Sequence, residues 1–225
     1  MTQHAHKEKV NYQVKMEQIL GHLPPDRVPM LFLHACCAPC CSYVLETLSR
    51  FFSIRLFFYN PNIMPEEEYR YRLSELRRLM AQMPLQHPVS VMDGTYAPER
   101  FLALAKGYEQ EPERGERCRK CIAHRLEETF RTAAREGADY VTTTLSISPH
   151  KDAPFINETG AELAEQYGVP WLYSDFKKKG GYLRSIALSQ EYDLYRQDFC
   201  GCVYSRAARE QQKQAQEQER NIQSS

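Results

Sequence analysis

The sequence predicts an α/β fold in three layers, a mainly parallel sheet covered by helices on both faces. Short runs rich in branched and aromatic residues, at 28–33, 52–60, 89–92, 138–146 and 169–176, alternate with stretches of helical spacing. The first run ends at His34 and breaks at once into Cys36, Cys37, Pro39, Cys40 and Cys41. Pro39 suits the first turn of a helix, so these thiols sit on a strand-to-helix turn, where open α/β sheets place their ligands. At 225 residues the chain is long enough for one domain with a full core. Its 42% hydrophobic and 26% charged residues are globular in composition. Three regions are expected: a polar lead-in over 1–26, a single α/β metal-binding domain over 27–206, and a polar tail over 207–225.

The lead-in ends in Pro24-Pro25 and reads as mobile or loosely docked. The second strand closes on Asn60-Pro61-Asn62, a loop signal. Three glutamates, Glu66 to Glu68, then open a charged helix to about 83, as acids at a helix start do. Its Arg70, Arg72, Arg77 and Arg78 read as an exposed face. After the strand at 89–92 comes a helix over 97–106, capped by Gly107. A polar loop leads to Cys118-Arg119-Lys120-Cys121 and a helix to about 135. The fourth strand, 138–146, runs into Pro149-His150-Lys151-Asp152 and a helix over 157–167. The fifth strand, 169–176, turns through Lys177-Lys178-Lys179-Gly180-Gly181 into a helix ending near 188. The glutamine-rich end reads as fraying helix and disorder.

Composition narrows the function classes. No window approaches the ~18 unbroken apolar residues of a membrane span. The first residues lack the apolar core of a signal peptide, so a cytoplasmic location is expected. In that compartment clustered cysteines point to metal or redox chemistry over structural disulfides. With 29 basic and 29 acidic residues the chain has no global pull on nucleic acid, and a local basic face must supply one.

Half of the eight cysteines lie in the 36–41 turn. The Cys-x-x-Cys spacing at Cys118 and Cys121 lets two sulfurs at a helix start converge on one centre, with Arg117, Arg119 and Lys120 beside them. Two sources of paired thiolates suit zinc or an iron–sulfur cluster. Adjacent Cys36 and Cys37 are awkward for one closed zinc site, whereas a cluster offers separate iron corners; this tips the choice to iron–sulfur. Cys40 is a further thiol that ligates a second metal, meets substrate or stands by. Cys41 falls inside the helix and reads as a core thiol. Cys200-Gly201-Cys202 permits a strained, reducible small-ring disulfide, with two more ligands or inert thiols as the alternatives. In the threonine-rich loop the hydroxyls, His150, Lys151 and Asp152 suit phosphate or ribose binding and proton donation, against a plain capped loop. Lys177 to Lys179 before a helix make a phosphate contact or a solvated charge run. His34 reads as a donor to the thiol site or a satisfied core histidine.

Taken in order, HACCAPC (34–40), YNPNI (59–63), RCRKC (117–121), TTTLSISPHKD (142–152) and QDFCGCVYS (197–205) resemble the QueH-type epoxyqueuosine reductases over about 28–205. The resemblance implies a Rossmann-like sheet of the nucleotide α-hydrolase type and reduction of the epoxide of epoxyqueuosine at the tRNA wobble position. It implies a 4Fe-4S cluster on Cys36, Cys37, Cys118 and Cys121, and a redox-active disulfide between Cys200 and Cys202. Some relatives carry aspartate where Cys40 stands, which implies an additional iron or zinc there. His150 and Asp152 are the expected proton donors, and Asn60, Asn62, Thr143, Lys151 and Lys179 the expected substrate contacts. The expected partners are the anticodon region of tRNA and an electron donor, with no membrane. No SGGxDS phosphate loop follows the first strand, so ATP use is not expected. Removing the epoxide oxygen as water takes two electrons and two protons, which a cluster with a dithiol or a second metal can meet. The alternatives are a cluster-dependent tRNA sulfur transferase and a non-enzymatic zinc or redox module that binds RNA.

Overall fold

A computed structural model describes residues 10–223; residues 1–9 of the expected lead-in and 224–225 of the tail lie outside the described residues. Four strands, β1 (Met30–His34), β2 (Ser53–Phe58), β3 (Val89–Asp93) and β4 (Tyr140–Thr143), form an all-parallel sheet in the order β3-β2-β1-β4. The predicted α/β class is therefore borne out. Strand side chains alternate between two cores, because successive residues point to opposite faces. Leu31 and Leu33 of β1 and Ile54, Leu56 and Phe58 of β2 enter one core; Phe32 and Phe57 enter the other.

Helices α1 (Tyr12–Gly21), α2 (Ala38–Leu48) and α3 (Glu66–Gln82) close the first core, through Met16, Leu45 and Leu76 among others. α4 (Pro98–Ala105) packs on α5 (Glu116–Arg135). α5 and α6 (Ala153–Tyr167) close the second core with Leu126, Phe130 and Ile156. α7 (Gly181–Glu191) packs on α2, and α8 (Val203–Gln223) completes the chain. Among the described residues no helix is long and apolar enough to cross a membrane.

Several expectations give way to packing. The lead-in is not loose where it is described: Asn11 caps α1 by accepting from Val14 N, Met16 is buried, and the Tyr12 ring stacks on Tyr173 at 6.1 Å. The segment 169–176 is no fifth strand but touches β4 through one bridge, Val141 to Trp171. Pro170 has no N–H to extend the ladder. Buried Asn157 takes over instead: its amide donates to Ser174 O and its oxygen accepts from Ser174 N and the Trp171 indole. β4 stops at Thr143, and a 3-10 turn, Thr144–Ile147, replaces its expected end. α6 begins four residues early because Asp152 caps it, accepting from Phe155 N at 3.2 Å. The tail is helical to Gln223. Arg72 is 2% exposed, so the arginines of α3 do not all lie on an exposed face.

Candidate active site

β1, β2 and β4 end together, and the loops after them carry the chemistry-bearing residues. His34, the last residue of β1, is fully buried. Its Nε2 lies 3.1 Å from the Tyr59 carbonyl, which can only accept, so Nε2–H donates there and Nδ1 accepts from Thr143 Oγ1 at 2.8 Å. Burial, then the charge of Arg125, push the ring down to about 3, and it stays neutral. His34 is thus a satisfied histidine that ties β1 to the loops on either side. Thr143 serves the same joint, accepting also from Leu145 N, and is fully buried.

The Cys36-Cys37 turn opens α2, with Cys37 at its N-cap in extended backbone and Pro39 in its first turn. The sulfurs of Cys36, Cys37 and Cys40 all lie within 4.8 Å of one another, the group of metal-type ligands that stands out among the described residues. Cys36 and Cys37 sulfurs are 3.8 Å apart. Two thiolates on one tetrahedral ion with metal–sulfur bonds of about 2.3 Å stand about 3.8 Å apart, so the donors fit a thiophilic metal as they stand. Within the trio Cys37 is the thiol that ionises first. Hydrogen bonds from Cys36, then from Cys40, hold it well below its ordinary range. Cys36 is correspondingly pushed up to about 12. Thr144 Oγ1 donates to Cys36 Sγ at 3.3 Å and accepts from Cys36 N at 3.2 Å. Cys41, fully buried, is pushed well up by burial and packs in the core, as expected of it.

The other four thiols gather in a second place. Cys118, Cys121, Cys200 and Cys202 line a small cavity of about 20 Å³ together with Asn62, Arg125 and Lys151. Cys118 accepts from Arg114 N at 3.3 Å, and burial raises Cys121 to about 11. Cys118 and Cys121 do not join the tight trio; Arg125 lies on the walls of both cavities, where burial works against its charge and Cys121, Cys200, Cys36 and Cys118 favour it. That guanidinium is 2% exposed and donates to Cys121 O and to Asn60 Oδ1, while Asn60 Nδ2 donates to Ala35 O. Arg125 is the cation sequence reasoning missed. It sits one helical turn after Cys121, a spacing that places both on one face of α5. Of the cations expected to serve the thiols, Arg117 lines the small cavity, whereas Arg119 and Lys120 turn elsewhere. Arg117 donates to the Tyr108 and Glu109 carbonyls, Arg119 reaches Asp152, and Lys120 lies over the Tyr108 ring.

A larger cavity, about 570 Å³, opens beside the trio and is lined by Cys36, Cys37, Cys40, Arg72, Lys151 and Cys200 among others. Its wall includes residues 196–200, part of the segment 195–201 that α3 holds. Arg72, paired with Glu68 at 2.7 Å, donates to Cys200 O at 3.1 Å, and Tyr195 N donates to Glu75 Oε2 at 3.0 Å. Met64 N donates to Gly201 O at 3.0 Å. Gly201 has φ +119°, and a Cβ there would stand 2.9 Å from Ile63 Cγ1, so the Cys-Gly-Cys loop is fixed from two sides. Burial opposes ionisation of Cys200, but Lys151 and Arg125 outweigh it and bring the thiol below its ordinary value. Cys202 goes the other way, raised by burial and by Cys200.

The remaining expected residues divide. Asn60 and Lys151 line the large cavity, and Asn62 the small one, where its Oδ1 is buried without a partner among the described residues. His150 is exposed at the large cavity's edge, 3.3 Å from Arg114 Nη2. Asp152, the α6 cap, is 45% exposed and pairs with Arg119 at 3.5 Å. Lys179 pairs with Glu17 of α1 and is 64% exposed. Burial works against the Lys151 charge, yet Cys200 and Glu113 hold its ammonium above its ordinary value.

The sequence matches the model of the epoxyqueuosine reductase QueH family over residues 31–208. An epoxyqueuosine reductase QueH of Streptococcus pyogenes serotype M1 is 39% identical over 201 residues, covering 88% of this chain and 79% of that protein. One of Staphylococcus epidermidis is 38% identical over 203 residues, covering 88% and 85%. One of Thermotoga maritima is 35% identical over 181 residues, covering 78% and 89%. These matches bear out the reductase expectation and lend no support to sulfur transfer or a non-enzymatic zinc module. The chain belongs to the epoxyqueuosine reductase QueH family.

Proposed function

We propose that the protein reduces the epoxide of epoxyqueuosine in tRNA to the alkene of queuosine, with Cys36, Cys37, Cys118 and Cys121 holding a 4Fe-4S cluster and Cys200 with Cys202 as the redox-active pair. Cys40, third in the sulfur trio, is the ligand for an additional iron or zinc. The observation that carries this reading is that buried Arg125 lines both the cavity of about 570 Å³ that holds Cys36, Cys37 and Cys40 and the small one that holds Cys118, Cys121, Cys200 and Cys202. Thiolate clusters are anionic, and a buried cation among the ligands offsets that charge. When bound, the cluster would pass on, one at a time, the two electrons that the dithiol gives up.

The chain's own residues do the rest. The reaction consumes two electrons and two protons and releases water, and oxidation of the Cys200–Cys202 dithiol supplies both. Lys151 and Arg125 keep Cys200 the more acidic thiol. Arg72 and Met64 fix the loop that carries the pair. The cavity is of a size that admits a nucleobase turned out of an anticodon loop. Arg196 on its wall is a cation for a flanking phosphate, while Arg209 beside it is paired with Asp198. A tRNA substrate places this work in the cytoplasm, and an external reductant resets the pair.

The test is anaerobic purification with iron and sulfide analysis, followed by reduction of epoxyqueuosine-containing tRNA. About four irons and four sulfides per chain, lost in Cys118→Ala and Cys121→Ala, are the expected result. Colourless protein holding one zinc, unaltered by iron and sulfide reconstitution and inactive on the tRNA, refutes the reading.

A further inference from the structure

Lys151 Nζ stands 3.5 Å from Cys200 Sγ and 3.5 Å from Glu113 Oε1. The Lys151 side chain is 9% exposed, while that of Glu113 is 47% exposed. All three groups line both the large cavity and the small one. They form a row from solvent, through a carboxylate and an ammonium, to a sulfur that faces the cavity. The neighbours expected to donate protons are turned away from this row. His150 meets Arg114 at the edge, and Asp152 is occupied by the α6 N-terminus and Arg119. Of these three consecutive residues Lys151 alone reaches Cys200, while His150 stands at the large cavity's edge and Asp152 lines neither cavity.

We propose that Lys151 is the catalytic proton carrier, giving its ammonium proton to the oxygen that leaves the epoxide and taking the proton of Cys200 in return, with Glu113 linking it to solvent. This rests on the reading of Cys200 and Cys202 as the reducing dithiol. In one turnover both C–O bonds of the epoxide break and the carbon–carbon π bond forms. Cys200 and Cys202 lose two electrons and two protons and join as a disulfide, and the oxygen leaves as water carrying those protons. Lys151 ends protonated as it began, and Glu113 provides its exchange with bulk water between turnovers. A dithiol reductant regenerates the pair.

The experiment is single-turnover reduction of epoxyqueuosine-containing tRNA by metal-loaded enzyme, with iron content and circular dichroism matched between variants. Lys151→Ala is expected to slow the step by at least about a hundredfold. Added ethylammonium should restore at least about tenfold of that loss. Lys151→Arg keeps the charge but parts with no proton at neutral pH, and should stay slow. Labelling of Cys200 by iodoacetamide should slow in Lys151→Ala, a readout independent of turnover. A Lys151→Arg enzyme at the native rate, or a Lys151→Ala enzyme that ethylammonium does not rescue, overturns the relay. If Cys200→Ser keeps the native single-turnover rate, the dithiol reading and the relay fall together. If Cys200→Ser is inactive while Lys151→Ala is fast, the relay alone falls.

Discussion

Asn60 joins the two thiol groups mechanically, and replacing it with leucine tests that joint. The side chain is 1% exposed; Nδ2 donates to Ala35 O at 2.9 Å, and Oδ1 accepts from Arg125 Nη1 at 3.3 Å. Leucine fills a similar volume but neither donates nor accepts, so Asn60→Leu costs two hydrogen bonds without opening a large void. Leaving the Ala35 carbonyl without its partner costs about 1–3 kcal/mol, and removing a bond to a charged donor about 1.5–3 kcal/mol. Water entering from the cavity that Asn60 lines recovers part of this, so the expected loss is about 3 kcal/mol. For a chain of this size that lowers Tm by about 6–12 °C. Thermal unfolding followed by circular dichroism measures it, and the same preparation, assayed for iron, should bind less metal because Ala35 and Arg125 both shift. A Tm within about 2 °C of native refutes the account of Asn60 as a joint. Full iron content in a destabilised variant refutes its link to the thiol site.

Gly201→Ala places a methyl against Ile63 and Arg72 at φ +119°, a backbone L residues rarely adopt. It should cost about 1–3 kcal/mol and slow reoxidation of the Cys200–Cys202 pair, read by denaturation and by thiol titration of the folded protein. Cys41→Ala should leave iron content unchanged, since its thiol lies in the core; loss of iron in that variant refutes the assignment of ligands. Asp198 lies between Lys213 and Arg209 of α8, which hold its carboxyl down at about 2. A depressed carboxylate contributes stability above its unfolded value that is lost as pH falls, here from 3.8 toward 2. Native protein should therefore lose some thermal stability across that window, and Asp198→Asn should lose less.

The sheet was legible because buried parallel strands read as apolar runs, and β1 and β2 do so on both faces. The 169–176 run has the same appearance, yet a buried asparagine outside it, Asn157, takes the backbone groups a fifth strand would need. Propensity carries no trace of such a partner. The cysteines were legible as a set, but their grouping was not. Spacing pairs Cys118 with Cys121, while only the fold brings Cys200 and Cys202 to the same cavity. Nor does spacing say which of His150, Lys151 and Asp152 enters the site. That depends on Asp152 being taken as a helix cap, which turns the residue before it inward. Arg72 looked like one more arginine on a charged helix; its burial follows from the 195–201 segment lying over α3, a contact between distant parts of the chain.

Charge explains why Arg125 belongs to the site and not merely to the core. Most arginines here stand next to carboxylates: Arg70 with Glu66, Arg77 with Asp93, Arg131 with Glu127 and Glu128, Arg184 with Glu46. Arg125 is more deeply buried than any of these, and its hydrogen bonds go to a carbonyl and an amide oxygen, both neutral. A buried guanidinium without a counter-charge costs several kcal/mol, so the arrangement is favourable only when the surrounding sulfurs carry negative charge. That yields a test with opposite signs in two states of one variant. In metal-free protein, where Cys36 and Cys121 are raised and stay protonated, Arg125→Met should leave Tm unchanged or raise it, because a charge with few counter-charges is replaced by an apolar chain of similar length. In metal-loaded protein the thiolates lose their counter-charge, and the same substitution should lower Tm and shorten retention of iron under a chelator. An equal fall in Tm in both states would mean that Arg125 acts through packing alone, and the electrostatic role assigned to it would be wrong.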